Sequence, residues 1–275
     1  MAKKTIYYED ALHDDFARDN ITAKTVPDDF SFAPRNPFWR ILEFILYRVI
    51  ATPLVWLMTR IGFGLKIKNR KALKKIRKSG YFLYGNHTHG MLDAYDPTLI
   101  AFPKRAHIVT GPEAVSVPVL RRIVQLLGGI PLPGSLTGYR SFYDALHYRI
   151  GQKRVITIYP EAHIWPWYTG IRPFPDGSFS YPVRENVPVV AFVTTFRRRR
   201  IFKNLWPCAT VTLSDPFYPD TLLSPREAKK DLRDRVYAFM CETIESTPDN
   251  YVYYEYVKRP APDGKADEKP KDANE

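Results

Sequence analysis

The chain has 275 residues, 45% of them hydrophobic, which is enough apolar material for one large α/β domain or two small ones and excludes global disorder. Lysine and arginine number 41 against 29 aspartates and glutamates, a formal net charge of +12, so the surface attracts anions such as nucleic acid, anionic lipid or phosphorylated small molecules. Two cysteines, Cys208 and Cys241, stand at no metal-ligand spacing, which argues against a disulfide framework and fits a reducing compartment.

Residues 1–36 are polar, lack a sustained period and show no signal-peptide apolar stretch, so they read as an arm on the domain or a partly disordered leader. Residues 37–66 are rich in aromatic and aliphatic side chains, but Arg40, Glu43, Arg48 and Arg60 interrupt them and Pro53 breaks the pattern. A bilayer span needs roughly 20 apolar residues in a row. The uncharged run Val49 to Thr59 is shorter, so a bent pair of interfacial helices is expected, with Trp39 and Trp56 at the headgroup level. The basic residues that follow, from Lys66 to Lys78, suit an anionic membrane surface or an ordinary solvated face.

Strands and helices then alternate. Strands are expected at 81–84, 106–110, 154–159, 187–196 and 208–213, and helices at 93–101, 117–127, 139–150 and 224–246. That order predicts an α/β fold with a mixed, largely parallel central sheet flanked by helices, preceded by the N-terminal interfacial helix pair. A main domain spanning 67–257 is expected to carry the chemistry. The tail 258–275 is rich in Pro, Asp, Lys and Gly and reads as disordered.

The informative stretch runs from Gly85 to Pro97, where a strand ends in a glycine turn and a helix begins. Polar side chains at such a junction stand at the sheet edge where ligands bind. His87 is placed to take a proton from a substrate hydroxyl, and Asp93 to hold its tautomer. The acceptor's own hydroxyl is then the nucleophile, and backbone N–H groups of 88–93 are expected to face the oxyanion. Asn86 would orient the turn through its amide. Glu161 follows a strong strand and falls on the same edge as His87 if the two strands are parallel.

In order, Asn86-His87 with Asp93, Gly128-Gly-Ile-Pro, Tyr159-Pro160-Glu161 with Phe174-Pro-Asp-Gly177, and Val187-Pro188-Val189-Val190 resemble the blocks of the glycerolipid acyltransferases, typified by the lysophosphatidic acid acyltransferases. The resemblance covers roughly residues 80–200. It implies transfer of a fatty acyl group from acyl-CoA or acyl carrier protein to a lysophospholipid hydroxyl, with no metal or other cofactor. It also implies a peripheral or monotopic enzyme at the cytoplasmic face of the membrane. Two departures stand out. Five residues separate His87 from Asp93 where the family has four, so the turn must bulge. The arginines of the second and third blocks, which hold the acceptor phosphate, are absent, and Arg140 or Arg172 is expected to substitute.

Several features carry two readings. His89 and Asp93 lie four apart and form an alternative working pair. Arg197 to Arg200, among aromatics, is either a lipid- or coenzyme-docking hairpin or a solvated loop. Trp165-Pro-Trp-Tyr168 either lines a channel or packs as a cluster. His87-Thr-His89 lacks the following acid of a metallo-hydrolase, since Met91 stands there. No nucleic-acid reader motif is present.

Overall fold

The computed structural model describes residues 4–17 and 24–259. Its elements are β1 (Lys4–Tyr8), α1 (Pro37–Gly62), β2 (Lys66–Lys68), β3 (Tyr81–Gly85), α2 (Asp96–Ala101), β4 (Ala106–Thr110), α3 (Pro118–Leu127), β5 (Gly129–Pro131), α4 (Leu136–Gly151), β6 (Val155–Ile158), α5 (Ser180–Glu185), β7 (Val189–Arg197), β8 (Cys208–Leu213), α6 (Pro225–Glu245) and β9 (Tyr254–Lys258). Seven strands form one sheet in the order β2-β8-β7-β3-β6-β4-β5. The five from β7 to β5 are parallel, and β8 turns antiparallel to β7. The sheet is thus mixed and largely parallel, as the alternation of elements predicts.

Alternation along β3 divides the core. Phe82 and Tyr84 pack with Phe142 and Leu146 of α4 and Leu232 and Val236 of α6. Tyr81 and Leu83 face the other way, with Leu99 and Ile100 of α2 and Val55 of α1. A parallel sheet covered on both faces needs apolar residues at every position of its central strands, and β3 is buried throughout.

The N-terminal segment differs from the bent pair expected. Pro37–Gly62 is one helix, long and apolar enough to cross a bilayer by length and composition, and only 22% of its apolar window is buried. Pro53 does not break it, because π-helical turns at Ile45–Ala51 precede the proline. In an α-helix the proline ring meets the carbonyl four residues back; a π turn reaches five back instead. Here the Thr52 N–H bonds to the Tyr47 carbonyl, and the Thr52 hydroxyl donates to that same oxygen at 2.7 Å.

Three of the four charges that interrupt this segment in sequence turn toward the domain. Glu43 is buried, Arg48 donates to the Pro103 carbonyl at 2.6 Å and Arg60 to the Leu65 carbonyl at 2.9 Å. Phe38, Ile41, Phe44, Val49, Leu54 and Ile61 are left exposed along the outer side.

The N-terminal arm contributes β1, which pairs in parallel with β9 from Lys4↔Tyr254 to Tyr8↔Lys258. The stretch up to Lys258 is therefore strand, and residues 260–275 lie outside the described residues.

Candidate active site

Because β3 and β6 are parallel neighbours, the turns that follow them open on the same edge of the sheet. Gly85 ends β3 against the ring of Phe192: a Cβ there would come within 2.1 Å of Phe192 Cζ. Asn86 follows, fully buried, and ties the turn to β7. Its amide oxygen accepts from Thr194 N–H at 2.8 Å and its amide nitrogen donates to Thr194 O at 3.1 Å. Asn86→Ala leaves both Thr194 groups without those partners. With about 1–3 kcal/mol for each unmet buried group, we expect a loss of about 2–6 kcal/mol, read as a lower urea midpoint. An unchanged midpoint would show the pair to be dispensable.

His87 stands next on the turn, its side chain 23% exposed. Nδ1 lies 2.8 Å from Asp93 Oδ2. An ionised carboxylate only accepts, so Nδ1 carries the proton and Nε2 is left as the basic nitrogen. The extra residue between them is absorbed by Gly90, whose φ of +47° opens a 3₁₀ turn over Gly90–Ala94. Asp93 is itself buried, and its Oδ2 also accepts the His89 N–H at 2.9 Å. Tyr159 stacks on the His87 ring at 4.6 Å and donates its hydroxyl to the Asp93 carbonyl at 2.6 Å. Of the backbone donors expected for an oxyanion, His89 N–H is taken by Asp93 and Leu92 N–H by the His89 carbonyl.

Glu161 follows β6 and is buried. Its two oxygens accept the His87 N–H at 3.1 Å and the Arg172 N–H at 3.0 Å, and Arg172 Nη2 lies 3.3 Å away. Burial pushes its carboxyl above the usual range, and Arg172 opposes that push. Glu161 thus holds the backbone of the His87 turn, and its carboxylate is occupied there.

Arg172 does not face an acceptor. It is 1% exposed, and its guanidinium engages Glu161, the carbonyls of His163 and Ala11, and the face of Trp165, with Nε alone unpartnered among the described residues. Arg140 is exposed in the first turns of α4, on the sheet edge shared with His87, and no side-chain hydrogen bond or ion pair engages it among the described residues.

The alternative histidine has another partner. His89 is buried, 3.2 Å from Asp96 Oδ2, with its ring enclosed by Phe63, Trp167 and Phe196. Asp96, which reads in sequence as a helix-turn acid, is fully buried, and burial raises its carboxyl above the ordinary range. Trp165 packs in an aromatic cluster with Tyr8, Phe16, Tyr168 and Tyr256. The same loop clips onto the His87 turn, Trp165 N–H to the His87 carbonyl and Trp167 N–H to the Thr88 carbonyl. Arg197 and Arg199 reach back to the carbonyls of Gly64 and Gly62 at the end of α1.

Tyr159 and Thr194 are the parts that reading the sequence missed. Tyr159 carries a signal, since a hydroxylated aromatic stands directly before Pro160-Glu161; Thr194 carries none, because its backbone is what Asn86 uses.

Residues 65–195, which hold this entire turn and its partners, match the family model described as Acyltransferase. Just under half of the chain therefore carries the match to an acyltransferase model. Among solved structures, the fold is similar to that of the 1-acyl-sn-glycerophosphate (LPA) acyltransferase PlsC from Thermotoga maritima. The TM-score is 0.55 at 15% identity, over 80% of this chain and 86% of that one. No curated protein matches the sequence. The hydrogen-bonded His87–Asp93 pair lies inside the matched residues.

Proposed function

We propose that this acyltransferase moves a fatty acyl group from acyl-CoA or acyl carrier protein to the hydroxyl of a lysophospholipid such as 1-acylglycerol-3-phosphate. One observation carries the reading: a part-exposed imidazole whose Nδ1 is held by a buried carboxylate at 2.8 Å, leaving Nε2 toward the sheet edge. Nε2 takes the acceptor hydroxyl proton as the oxygen attacks the thioester carbonyl carbon. The C–O bond forms, the C–S bond breaks, and the imidazolium returns the proton to the thiolate, which leaves as coenzyme A or carrier thiol. No enzyme nucleophile, metal or redox group takes part. Arg140, free on the same edge, is our choice for the acceptor phosphate.

The test is purified protein in detergent with each donor and a panel of lysophospholipids, monitoring thiol release and ester product. Turnover that depends on one acceptor class supports the reading and names the acceptor. Absence of turnover with every pair would favour the second reading, a catalytically silent lipid-binding relative. That reading is supported by Arg172 being locked to Glu161.

The same proposal sets the enzyme at the cytoplasmic face of the membrane, with the exposed side of α1 in the lipid. Burying one large apolar side chain contributes about 1.5–3 kcal/mol. Phe38→Ser/Leu54→Ser is therefore expected to weaken binding to neutral vesicles by more than about tenfold. Flotation that matches the parent protein would remove α1 as the lipid-facing element.

A further inference from the structure

At the edge where the parallel strands begin, opposite His87, the chain gathers positive charge. Arg77 precedes β3, Arg105 precedes β4 and Arg154 precedes β6. With Arg40 and Arg48 of α1 they line a cavity of about 800 Å³. One strand length, about 16 Å for five residues, separates it from the catalytic turn.

Among the described residues that line the cavity, one carboxylate, Glu43, faces these arginines. Glu43 Oε1 lies 3.1 Å from Arg105, 3.4 Å from Arg149 and 3.5 Å from Arg154. Three guanidinium groups thus share one oxygen. The Arg105 side chain is 10% exposed, and its Nε has no partner among the described residues; Arg48 Nη1 is likewise unmet. Arg40 and Arg77 stand exposed at the rim and engage no side-chain hydrogen bond or ion pair among the described residues. Burial draws Arg105 down to about 10 despite Glu43. The cavity is short of negative charge, and the exposed guanidinium groups of Arg40 and Arg77 at its rim fit the several acceptor oxygens of a phosphate.

The rim says which phosphate. Ile41 and Phe44 of α1 line the same cavity, each 60% exposed, and the apolar ridge continues from them to Ile61. A phospholipid brings its phosphate and its acyl chains side by side, matching a cationic cavity that opens against an apolar helix. A free phosphate has no use for that rim.

We propose that this cavity binds the headgroup phosphate of an anionic phospholipid, at a site separate from the catalytic edge. The bound lipid anchors the start of α1 while the far end of the helix, where Phe63 meets the His89 ring, lies at the catalytic turn. The inference does not depend on the acyl-transfer reading, because its readout is vesicle binding.

The experiment compares flotation of the full chain with vesicles of phosphatidylcholine, with and without phosphatidylglycerol. The variants are Arg40→Gln/Arg77→Gln and a charge-matched Lys71→Gln/Lys74→Gln. We expect the arginine pair to lose the phosphatidylglycerol-dependent gain by about tenfold or more. The lysine pair should lose clearly less, and binding to phosphatidylcholine alone should be unchanged in both. Thiol release in detergent should also match the parent. Equal losses in the two variants would reduce the cavity to ordinary surface charge and overturn the proposal. Displacement of the parent from phosphatidylglycerol vesicles by millimolar inorganic phosphate, absent in the arginine pair and not reproduced by equal ionic strength of chloride, would make it a free-phosphate site and overturn the choice of lipid.

Discussion

His87→Ala is expected to lower acceptor-dependent thiol release by roughly 10²–10⁴-fold, the range a positioned general base contributes, with the fold retained. The imidazole is part-exposed at the end of a turn. The elements that hold the turn engage its backbone: the N–H by Glu161 and the carbonyl by Trp165. Removing the ring therefore removes the base and leaves the scaffold. Asp93→Asn should follow in the same direction, since an amide no longer dictates which imidazole nitrogen bears the proton. The two histidines separate cleanly. His89 is enclosed and paired with Asp96, so its substitution should show first as a lower melting temperature. Steady-state turnover retained in His87→Ala would sink the assignment of the base and return the choice to His89.

Arg172→Ala is expected to cost about 3–5 kcal/mol of stability, as removal of one partner from a buried ion pair does. Its guanidinium sits beside Glu161, on the carbonyls of His163 and Ala11 and over Trp165. In its absence the Glu161 carboxylate keeps only the backbone N–H groups of His87 and Arg172. The deficit should depend on pH. Burial already holds the Glu161 carboxyl above its ordinary value, and Arg172 opposes that. Without the arginine the folded-state value rises further above the unfolded one. The folded state then binds the proton more tightly, so the variant's deficit shrinks as pH falls through the folded-state value and is largest at neutral and alkaline pH. Thermal melts across that range check it. An unchanged melt with a raised KM for the acceptor alone would restore Arg172 as a phosphate ligand.

Glu161 and Arg172 also show where reading the sequence stopped. The position of Glu161 after a strong strand was legible from local pattern, and the parallel pairing of β3 with β6 then put it on the edge shared with His87. Its task was not legible. A carboxylate on a sheet edge faces either substrate or backbone, and only the approach of residue 172, eleven positions on, decides between them. The same holds for α1. Its apolar content marked a membrane-seeking segment, yet Pro53 and four charges read as breaks. Their accommodation by a π turn and by partners such as Pro103 and Leu65 is tertiary.

What the amino-acid sequence determined by itself is the alternation of strands and helices, the placement of the Asn86-His87 and Pro160-Glu161 turns at strand ends, and the family blocks they form. Each is written in neighbouring residues whose periodicity and turn chemistry act locally. The partner of each charged side chain was settled only when the sheet assembled. Arg77, Arg105 and Arg154 come from three separate strand starts, and Glu43 from a helix earlier still. β1 and β9 pair across nearly the whole chain. Such contacts depend on which distant surfaces pack, and a guanidinium that meets a carboxylate, a carbonyl or a lipid phosphate is the same letter in all three settings.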